Sequence, residues 1–330
     1  MNNWGSQRIP FIFVIDFEME KIIIERLDSL NFGLSFQIGK YQFQSFMPKD
    51  SELHYEYFPI SLNDYKSRFE RVKNELAYGN SFLLNLTAAT EFQTDNKLSD
   101  FYQSAQAKYK LLLDDEFVCF SPETFVQIKD NQIFSYPMKG TSIVKVDPNG
   151  TMLLNDLKEN AEHATIVDLI RNDLSRVSKN VSLNKFKYLN LIETDTQHLY
   201  QMSSEIVGDL REDFNQEIGT LLFKLLPAGS ISGSPKLKTC EIIKEVEFES
   251  RSYYTGIVGL FDGKNLDSGV MIRCIEQNGS LMRYRSGGGI TFMSKLEDEY
   301  QELINKIYVP VSRDYQGSKQ KSLQYSLSQH

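Results

Sequence analysis

The first clear periodicity begins at Ser61. In SLNDYKSRFERVKNELAYGN the apolar residues Tyr65, Phe69, Val72 and Leu76 recur at intervals of four, three and four. That spacing is the stripe of an amphipathic helix, and Gly79 suits its stop. The rhythm returns twice. His163, Val167, Ile170 and Leu174 predict a helix over about 156–177, and Leu296, Tyr300, Leu303 and Ile307 predict a last one from residue 294. Ser294 and Glu297 have the spacing of a capping box for it. IGTLLFKLL predicts a helix ended by Pro227, and Pro235, with Ser234 as cap, opens another. Elsewhere the pattern is that of strands. PFIFVIDF, FGLSFQIG and YQFQSF fill the first sixty residues, with a short polar helix expected between the first two. SFLLNLTAATEF reads as one strand, and FVCFSPETFVQIKDNQIFSYP as strands around a turn at Asp130-Asn131. From Tyr253 to Phe292 the pattern is strand and hairpin, with a two-residue turn at Asn278-Gly279. Helices interleave with antiparallel-looking strands and no βαβ rhythm dominates. The expected class is α+β, with sheets packed together and helices outside. Residues 1–60 form a short strand region packing on the core, 61–311 the main domain, and 312–330 a polar tail expected to be disordered.

Composition narrows the function. The 330 residues are 41% hydrophobic and 24% charged, an ordinary globular balance. The net charge is −8 and the basic residues form no stripe, which argues against nucleic acid as a partner. FIFVID is too short to span a membrane and follows no basic leader, so the expected location is cytoplasmic. Cys119, Cys240 and Cys274 lie far apart in apolar contexts with no CxxC pair, which reads as buried thiols in a reducing compartment.

Candidate chemistry is scattered. Glu159 and Glu162 share one helical face, as do Glu299 and Glu302, and each pair flanks an apolar stripe. Such pairs are common on solvated helices, but four carboxylates could also converge on a hard cation such as Mg²⁺. GSISGS precedes a helix and offers free N–H groups to an anion, or is a plain loop. SGGGI at 286–290 permits close backbone approach. Arg273 alternates with apolar residues in VMIRCIE, where an inward arginine would need an acceptor, and His198 reads as a base or a core histidine. SYPMKGTS at 135–142 sets Lys139 in a turn-like stretch, either a solvated loop or an amine held against a substrate.

Together the blocks GNSFLLNLT, SPETF, PMKGT, KENAEHATIVDLIRNDLSRV, HLYQMSSEIVGDL, LLPAGSISGSPKLKTCEII, RSYYTGIVG, SGVMIRCIE and GGGITFMSKLEDEYQELINK resemble, in order, the chorismate-binding enzymes. That family includes anthranilate synthase component I, aminodeoxychorismate synthase component I, isochorismate synthase and salicylate synthase. The resemblance implies two large antiparallel sheets packed as a sandwich with helices outside, and makes 61–311 the chorismate-binding catalytic domain. It also implies Mg²⁺ on the substrate's ring carboxylate, with Glu162 and Glu302 matching the closest ligands and Glu159 and Glu299 the outer ones. Arg273, Tyr254, Lys306 and the backbone at Gly287 and Gly289 match residues that hold chorismate's carboxylates, and Ser232 and His198 match pocket positions. Glu123 matches the general acid at the C4 hydroxyl.

PMKGT bears on the branch. The corresponding motif resembles PIAGT in anthranilate synthases and PIKGT in aminodeoxychorismate synthases, and this chain has Lys139. Leu83 aligns with the water-activating lysine of the isochorismate and salicylate branches. The resemblance therefore points to aminodeoxychorismate synthase component I, which aminates chorismate at C4 toward 4-aminobenzoate and folate; the anthranilate and salicylate-type reactions, and a non-catalytic chorismate binder, are the alternatives. No cysteine has the setting of an amidotransferase nucleophile, so ammonia is expected from a separate glutamine amidotransferase subunit. A pyridoxal phosphate-dependent aminodeoxychorismate lyase is expected to act on the product. The region before Tyr65 is shorter than the family's usual N-terminal part, and no LLES-like stretch is present.

Overall fold

The computed structural model describes residues 1–31, 33–49, 51–193 and 198–311. The expectation for 312–330 lies outside the described residues. Among the described residues, strands form two antiparallel sheets of nine strands each. The first runs, in spatial order, through Met138–Ile143, His198–Asp209, Gln132–Ser135, Thr124–Lys129, Leu266–Val270, Ile257–Phe261, Phe11–Ile15 and Ile22–Arg26, with Lys179–Glu193 also paired to His198–Asp209. The second runs through Gly233–Ser234, Leu83–Thr94, Leu281–Thr291, Cys274–Asn278, Phe117–Ser121, Tyr109–Leu113, Leu34–Ile38 and Tyr41–Phe43, with Tyr55–Phe58 also paired to Leu83–Thr94. The first sixty residues thus supply strands to both sheets. No helix among the described residues is long and apolar enough to cross a membrane.

Period-two alternation explains the layers. In Phe11–Ile15 every residue is buried. Ile12 and Val14 meet Leu34, Phe36, Leu111 and Phe117 between the sheets, while Phe11, Phe13 and Ile15 face a core shared with Ile166, Val167 and Ile170 of the helix Leu157–Ser175. On the far side of the second sheet, Leu84, Leu86, Ala88 and Ile290 receive the predicted stripe Tyr65, Phe69, Val72 and Leu76 of the helix Leu62–Ala77. They also receive Ile242 and Val246 of the helix Lys236–Glu247 and Leu303 of the helix Leu296–Asn305. The fold is therefore the expected α+β sandwich of two large antiparallel sheets with peripheral helices.

Local expectations fail where a side chain is engaged elsewhere. Between the first two predicted strands lies a strand, Ile22–Arg26, paired with Phe11–Ile15, because its β-branched run suits a sheet better than a helix. Ser294 accepts the Thr291 N–H at 3.1 Å, so it closes a turn instead of a capping box, and Lys295 is the cap. That turn's carbonyls at Thr291, Phe292 and Ser294 all accept from the Lys73 amine. Ser234 pairs with Leu83 in a short strand, and Pro235 takes the cap position. The hairpin turn falls on Gly279-Ser280, since Asn278 still pairs with Leu281. Asp130 and Asn131 do form the expected turn, both with positive φ. Cys119 and Cys274, distant in sequence, are buried cross-strand partners, and both are free thiols.

Two chain crossings between the sheets matter most for the site. Phe117–Ser121 belongs to the second sheet and Thr124–Lys129 to the first, and Pro122 and Glu123 span the change. Leu266–Val270 and Cys274–Asn278 are divided the same way, with Arg273 at the passage. Arg273 is therefore not the mid-strand residue its alternation suggests. It adopts a left-handed φ of 59°, which a bulky side chain tolerates only when its surroundings impose it. The crossings are joined: the Phe120 N–H donates to the Arg273 carbonyl and the Val270 N–H to the Glu123 carbonyl, each at 3.1 Å.

A buried ion pair ties the helix Lys236–Glu247 to the second sheet. Arg251 donates to both carboxylate oxygens of Glu247 and to the carbonyls of Ile231 and Asn85, and Glu247 also accepts from the Thr87 N–H and hydroxyl. Both side chains are 1% exposed. Glu247→Ala strands a buried guanidinium and should cost about 3–5 kcal/mol in urea unfolding. Replacing both partners, Glu247→Leu with Arg251→Met, should cost much less than that single change.

Candidate active site

Lys139 owes its position to a bulge. The register of Met138–Ile143 shifts between Lys139, opposite Met202, and Thr141, opposite Gln201, with Gly140 between them at a φ of 70°. A Cβ on Gly140 would lie 2.8 Å from Glu159 Oε2 and 2.7 Å from Leu153 Cδ1, so both conformation and space demand glycine. The Lys139 Nζ lies 3.2 Å from where a Cβ would stand on Gly289, and Leu83 Cδ1 lies 3.1 Å from the same point. The lysine of PMKGT and Leu83 therefore meet at one glycine of the strand Leu281–Thr291.

Glu123 belongs to the same cluster. The Ser230 hydroxyl donates to its Oε1. Burial pushes the Glu123 carboxyl above the ordinary range, against the pull of Ser230, Lys139, Lys306 and Arg273. Lys139, Lys306 and Arg273 are thus near enough for their charges to act on it. Glu123 and Ser230 also line a small cleft walled by Phe125, Pro137, Ile170 and Leu174.

The four predicted carboxylates lie on two helices that Lys158 links. Asp156 caps Leu157–Ser175 by accepting the Glu159 N–H, and this helix presents Glu159 and Glu162. Leu296–Asn305 presents Glu299 and Glu302. Burial pushes Glu162 up to about 7 despite Lys139 and Lys158 nearby, and burial raises Glu159 as well. Burial would also raise Glu302, but Lys306, Lys139 and Lys158 hold it below the usual range. The Lys306 amine, itself lowered by burial, donates to Glu302 Oε1 at 2.6 Å and to the Gly287 carbonyl at 2.9 Å. Lys158 donates to Glu299 Oε1 at 3.0 Å. A Cβ on Gly288 would come within 3.2 Å of Glu302 Oε1 and 3.4 Å of Glu299 Oε2, so the glycine leaves room for both.

Two observations fit this set to a hard divalent cation. Glu162 Oε1 and Glu299 Oε2 are buried and accept no hydrogen bond among the described residues, and the donors are all oxygen. Among the described residues, no group of three or more acidic, histidine or cysteine side chains is placed to hold a metal ion by itself. An ion here would keep water in its coordination sphere, as Mg²⁺ does.

The remaining predicted residues divide. Tyr254 is buried beside Arg273 and Arg251, and burial raises its phenol well above the usual value. The Arg273 guanidinium donates to the Lys306 carbonyl at 3.1 Å, stacks on the Tyr308 ring, and leaves its Nε without a partner among the described residues. Ser232 is buried and spends its hydroxyl on the Ala228 carbonyl, one short helical turn back. Its neighbour Ser230 is the serine that reaches Glu123. His198 is exposed at the start of His198–Asp209, four residues and about 13 Å along the strand from Met202, the partner of Lys139. None of the described contacts links it to the cluster. The histidine nearer the cluster is His163, read from sequence only as part of a stripe. It is buried, pairs with the Ser204 hydroxyl at 2.7 Å, and is lowered to about 4 by burial, Lys187 and Lys139. Lys158 also escaped the sequence reading, because a lysine four residues before a glutamate is the usual sign of a surface pair.

Comparison with known proteins identifies the family. The profile of the chorismate binding enzymes matches residues 36–312. An uncharacterized PabA-like protein of Pasteurella multocida is 52% identical over 315 residues, covering 94% of this chain and 97% of that one. The aminodeoxychorismate synthase component 1 of Bacillus subtilis is 30% identical over 76% of this chain and 55% of its own length. The anthranilate synthase component 1 of Archaeoglobus fulgidus is 31% identical over 75% of this chain and 61% of its own length. The chain thus spans little more than half the length of these two relatives. In structure, the menaquinone-specific isochorismate synthase MenF of Escherichia coli shares the fold with a TM-score of 0.71 at 16% identity, covering 92% of this chain and 78% of that one. The protein is a chorismate-binding enzyme, a member of the anthranilate and aminodeoxychorismate synthase component I family. Identity alone favours neither of those two activities.

The burial of Glu162 has a measurable consequence. Its folded-state value of about 7 lies above the unfolded carboxylate value, so between pH 4.5 and 7 the folded state holds the extra proton. In protein stripped of divalent ions, stability should fall as pH rises through that window, by on the order of 2–3 kcal/mol from this group. Glu162→Gln should flatten that part of the profile in urea unfolding.

Proposed function

We propose that the protein aminates chorismate at C4, giving 4-amino-4-deoxychorismate for 4-aminobenzoate and folate synthesis. The observation that carries this reading is the Lys139 amine, held beside Gly289 and among the charges around Glu123. Glu123, favoured as the neutral acid by burial, protonates the C4 hydroxyl so that it leaves as water. The free amine of Lys139 adds at C2 as the ring double bond shifts and the C4–O bond breaks. Ammonia then adds at C4, the double bond shifts back, and the Lys139 nitrogen leaves C2 with its electron pair. Two conjugate displacements put nitrogen where oxygen was.

Binding falls to the groups around this pair. Arg273, Tyr254, Lys306 and the backbone at Gly287 and Gly289 hold the substrate's carboxylates, with the unpartnered Arg273 Nε as a donor still free for one of them. Glu162 and Glu302, with Glu159 and Glu299, would hold Mg²⁺. When bound, the ion draws electron density from the ring carboxylate and stabilises developing charge. Leu83 is 2% exposed and places an apolar side chain next to the lysine, a setting unsuited to activating water. Ammonia comes from a separate glutamine amidotransferase subunit, and a pyridoxal phosphate-dependent lyase consumes the product.

Incubating the chain with chorismate, Mg²⁺ and ammonium at mildly basic pH tests this reading. The product should keep its enolpyruvyl group, and a lactate dehydrogenase assay should detect almost no pyruvate until a lyase is added. Stoichiometric pyruvate from this chain alone would favour the anthranilate or salicylate-type reaction, and full activity in EDTA would exclude the metal. Lys139→Ala should cut C4 amination by orders of magnitude, since nucleophile and acid act as a unit. With ammonia withheld, the wild-type chain should form an adduct on the Lys139 peptide, visible by mass spectrometry, and Glu123→Gln should lower its yield. Wild-type turnover to the same product in Lys139→Ala would end the proposal.

A further inference from the structure

We infer that Lys158 is a tethered counter-ion, an ammonium that holds the acidic cluster together without a divalent ion and competes with that ion for the same carboxylates. The inference rests on the metal-site reading of the four glutamates. Lys158 stands on the helix Leu157–Ser175, one turn before Glu162, with its Nζ 3.8 Å from Glu162 Oε1. The same Nζ lies 3.0 Å from Glu299 Oε1 on the helix Leu296–Asn305. One ammonium thus bridges the two helices that carry the carboxylates, between Glu162 and Glu299.

The side-chain environments distinguish this from a surface ion pair. Glu299 is 1% exposed and Glu162 9%, whereas Lys158 is 32% exposed. The acids are fixed and desolvated, and the lysine reaches them from solvent on a flexible stem. Lys158 is the partner with access to water, whereas the two carboxylates are shut away from it. It also leaves them incompletely satisfied, since Glu162 Oε1 and Glu299 Oε2 still lack a hydrogen-bond partner among the described residues. A single ammonium neutralises one unit of charge at hydrogen-bonding distance. A Mg²⁺ or Mn²⁺ ion would approach the same oxygens at about 2.1 Å with twice the charge.

Lys158 is the lysine that reaches both helices. Lys306 donates to Glu302 and the Gly287 carbonyl, and the Lys139 Nζ stands beside Gly289. With the ammonium in place, an entering cation meets like charge within about 4 Å of its ligands, a repulsion worth tenfold or more in affinity at intermediate dielectric. Lys158 therefore weakens metal binding while stabilising the metal-free fold.

The test is titration of Mn²⁺ alone into metal-free protein at pH 8, by calorimetry, on wild type, Lys158→Met and Lys158→Arg, with melting temperatures recorded in EDTA. Lys158→Met keeps most of the apolar stem and removes the charge. It should bind Mn²⁺ about tenfold more tightly than wild type and melt lower in EDTA, and Mn²⁺ should raise its melting temperature more. Lys158→Arg should restore both wild-type values. If wild type binds Mn²⁺ and Lys158→Met binds it equally or more weakly, the competition does not exist and the inference falls while the metal reading stands. If neither binds Mn²⁺, the metal reading falls and the inference with it.

Discussion

Like charges crowded into a low-dielectric gap are the constraint on which this structure turns. Four carboxylates from two helices, a fifth at a strand crossing, three lysines and an arginine share one region, and no one pair neutralises it. Burial raises Glu123, Glu159 and Glu162, whereas Glu302 is held down by the lysines around it. Carboxyl groups of one chemical type thus acquire different protonation preferences from position alone. Such a cluster does not assemble itself, so the remainder of the fold must hold it.

The sandwich supplies that restraint through its crossings. A strand that stays in one sheet presents side chains to two layers only. A strand that changes sheet turns its backbone at the boundary and aims a side chain along the seam. Glu123 and Arg273 occupy two such boundaries, and reciprocal backbone hydrogen bonds join them. The helices then add the acids from outside, with the Lys73 amine gripping the turn that precedes the helix of Glu299 and Glu302. Acid, arginine and carboxylates are therefore positioned by separate long-range devices that converge, which is how a rigid scaffold maintains a repulsive site.

Much of this was legible in the sequence, for reasons that differ by element. The helix stripes could be read because their apolar faces pack on a sheet, so period and burial coincide at Tyr65, Phe69, Val72 and Leu76. The sheet class followed from alternating strands. The caps and turns misread, at Ser234, Ser294 and Asn278, differ in cause: Ser234 pairs with distant Leu83, whereas Ser294 accepts from Thr291 and Asn278 pairs with Leu281, each only three residues away. Residues carried over from blocks of the family did not fare alike. Glu123 and Lys139 lie in one cluster, whereas Ser230 and not Ser232 reaches Glu123, and Lys158 resembled a surface charge. His198 stands exposed at the first residue of its strand, opposite Glu193 only five residues earlier, away from the position its family match suggested.

The bulge at Gly140 carries a consequence for how this scaffold can diversify. The backbone at position 139 is bent by the glycine that follows it and by the walls formed by Glu159 and Leu153, not by the lysine's own side chain. The side chain at that position can therefore change while the surrounding frame keeps its shape. One codon change would then be enough to exchange the reactive group, with no refolding and no passage through an unstable ancestor. Position 140 lacks that freedom, because any side chain there would strike an acid of the cluster. Within this short motif, one residue is open to chemical innovation and its neighbour is fixed by sterics, so lineages sharing the fold can drift apart in reactivity while remaining alike in architecture.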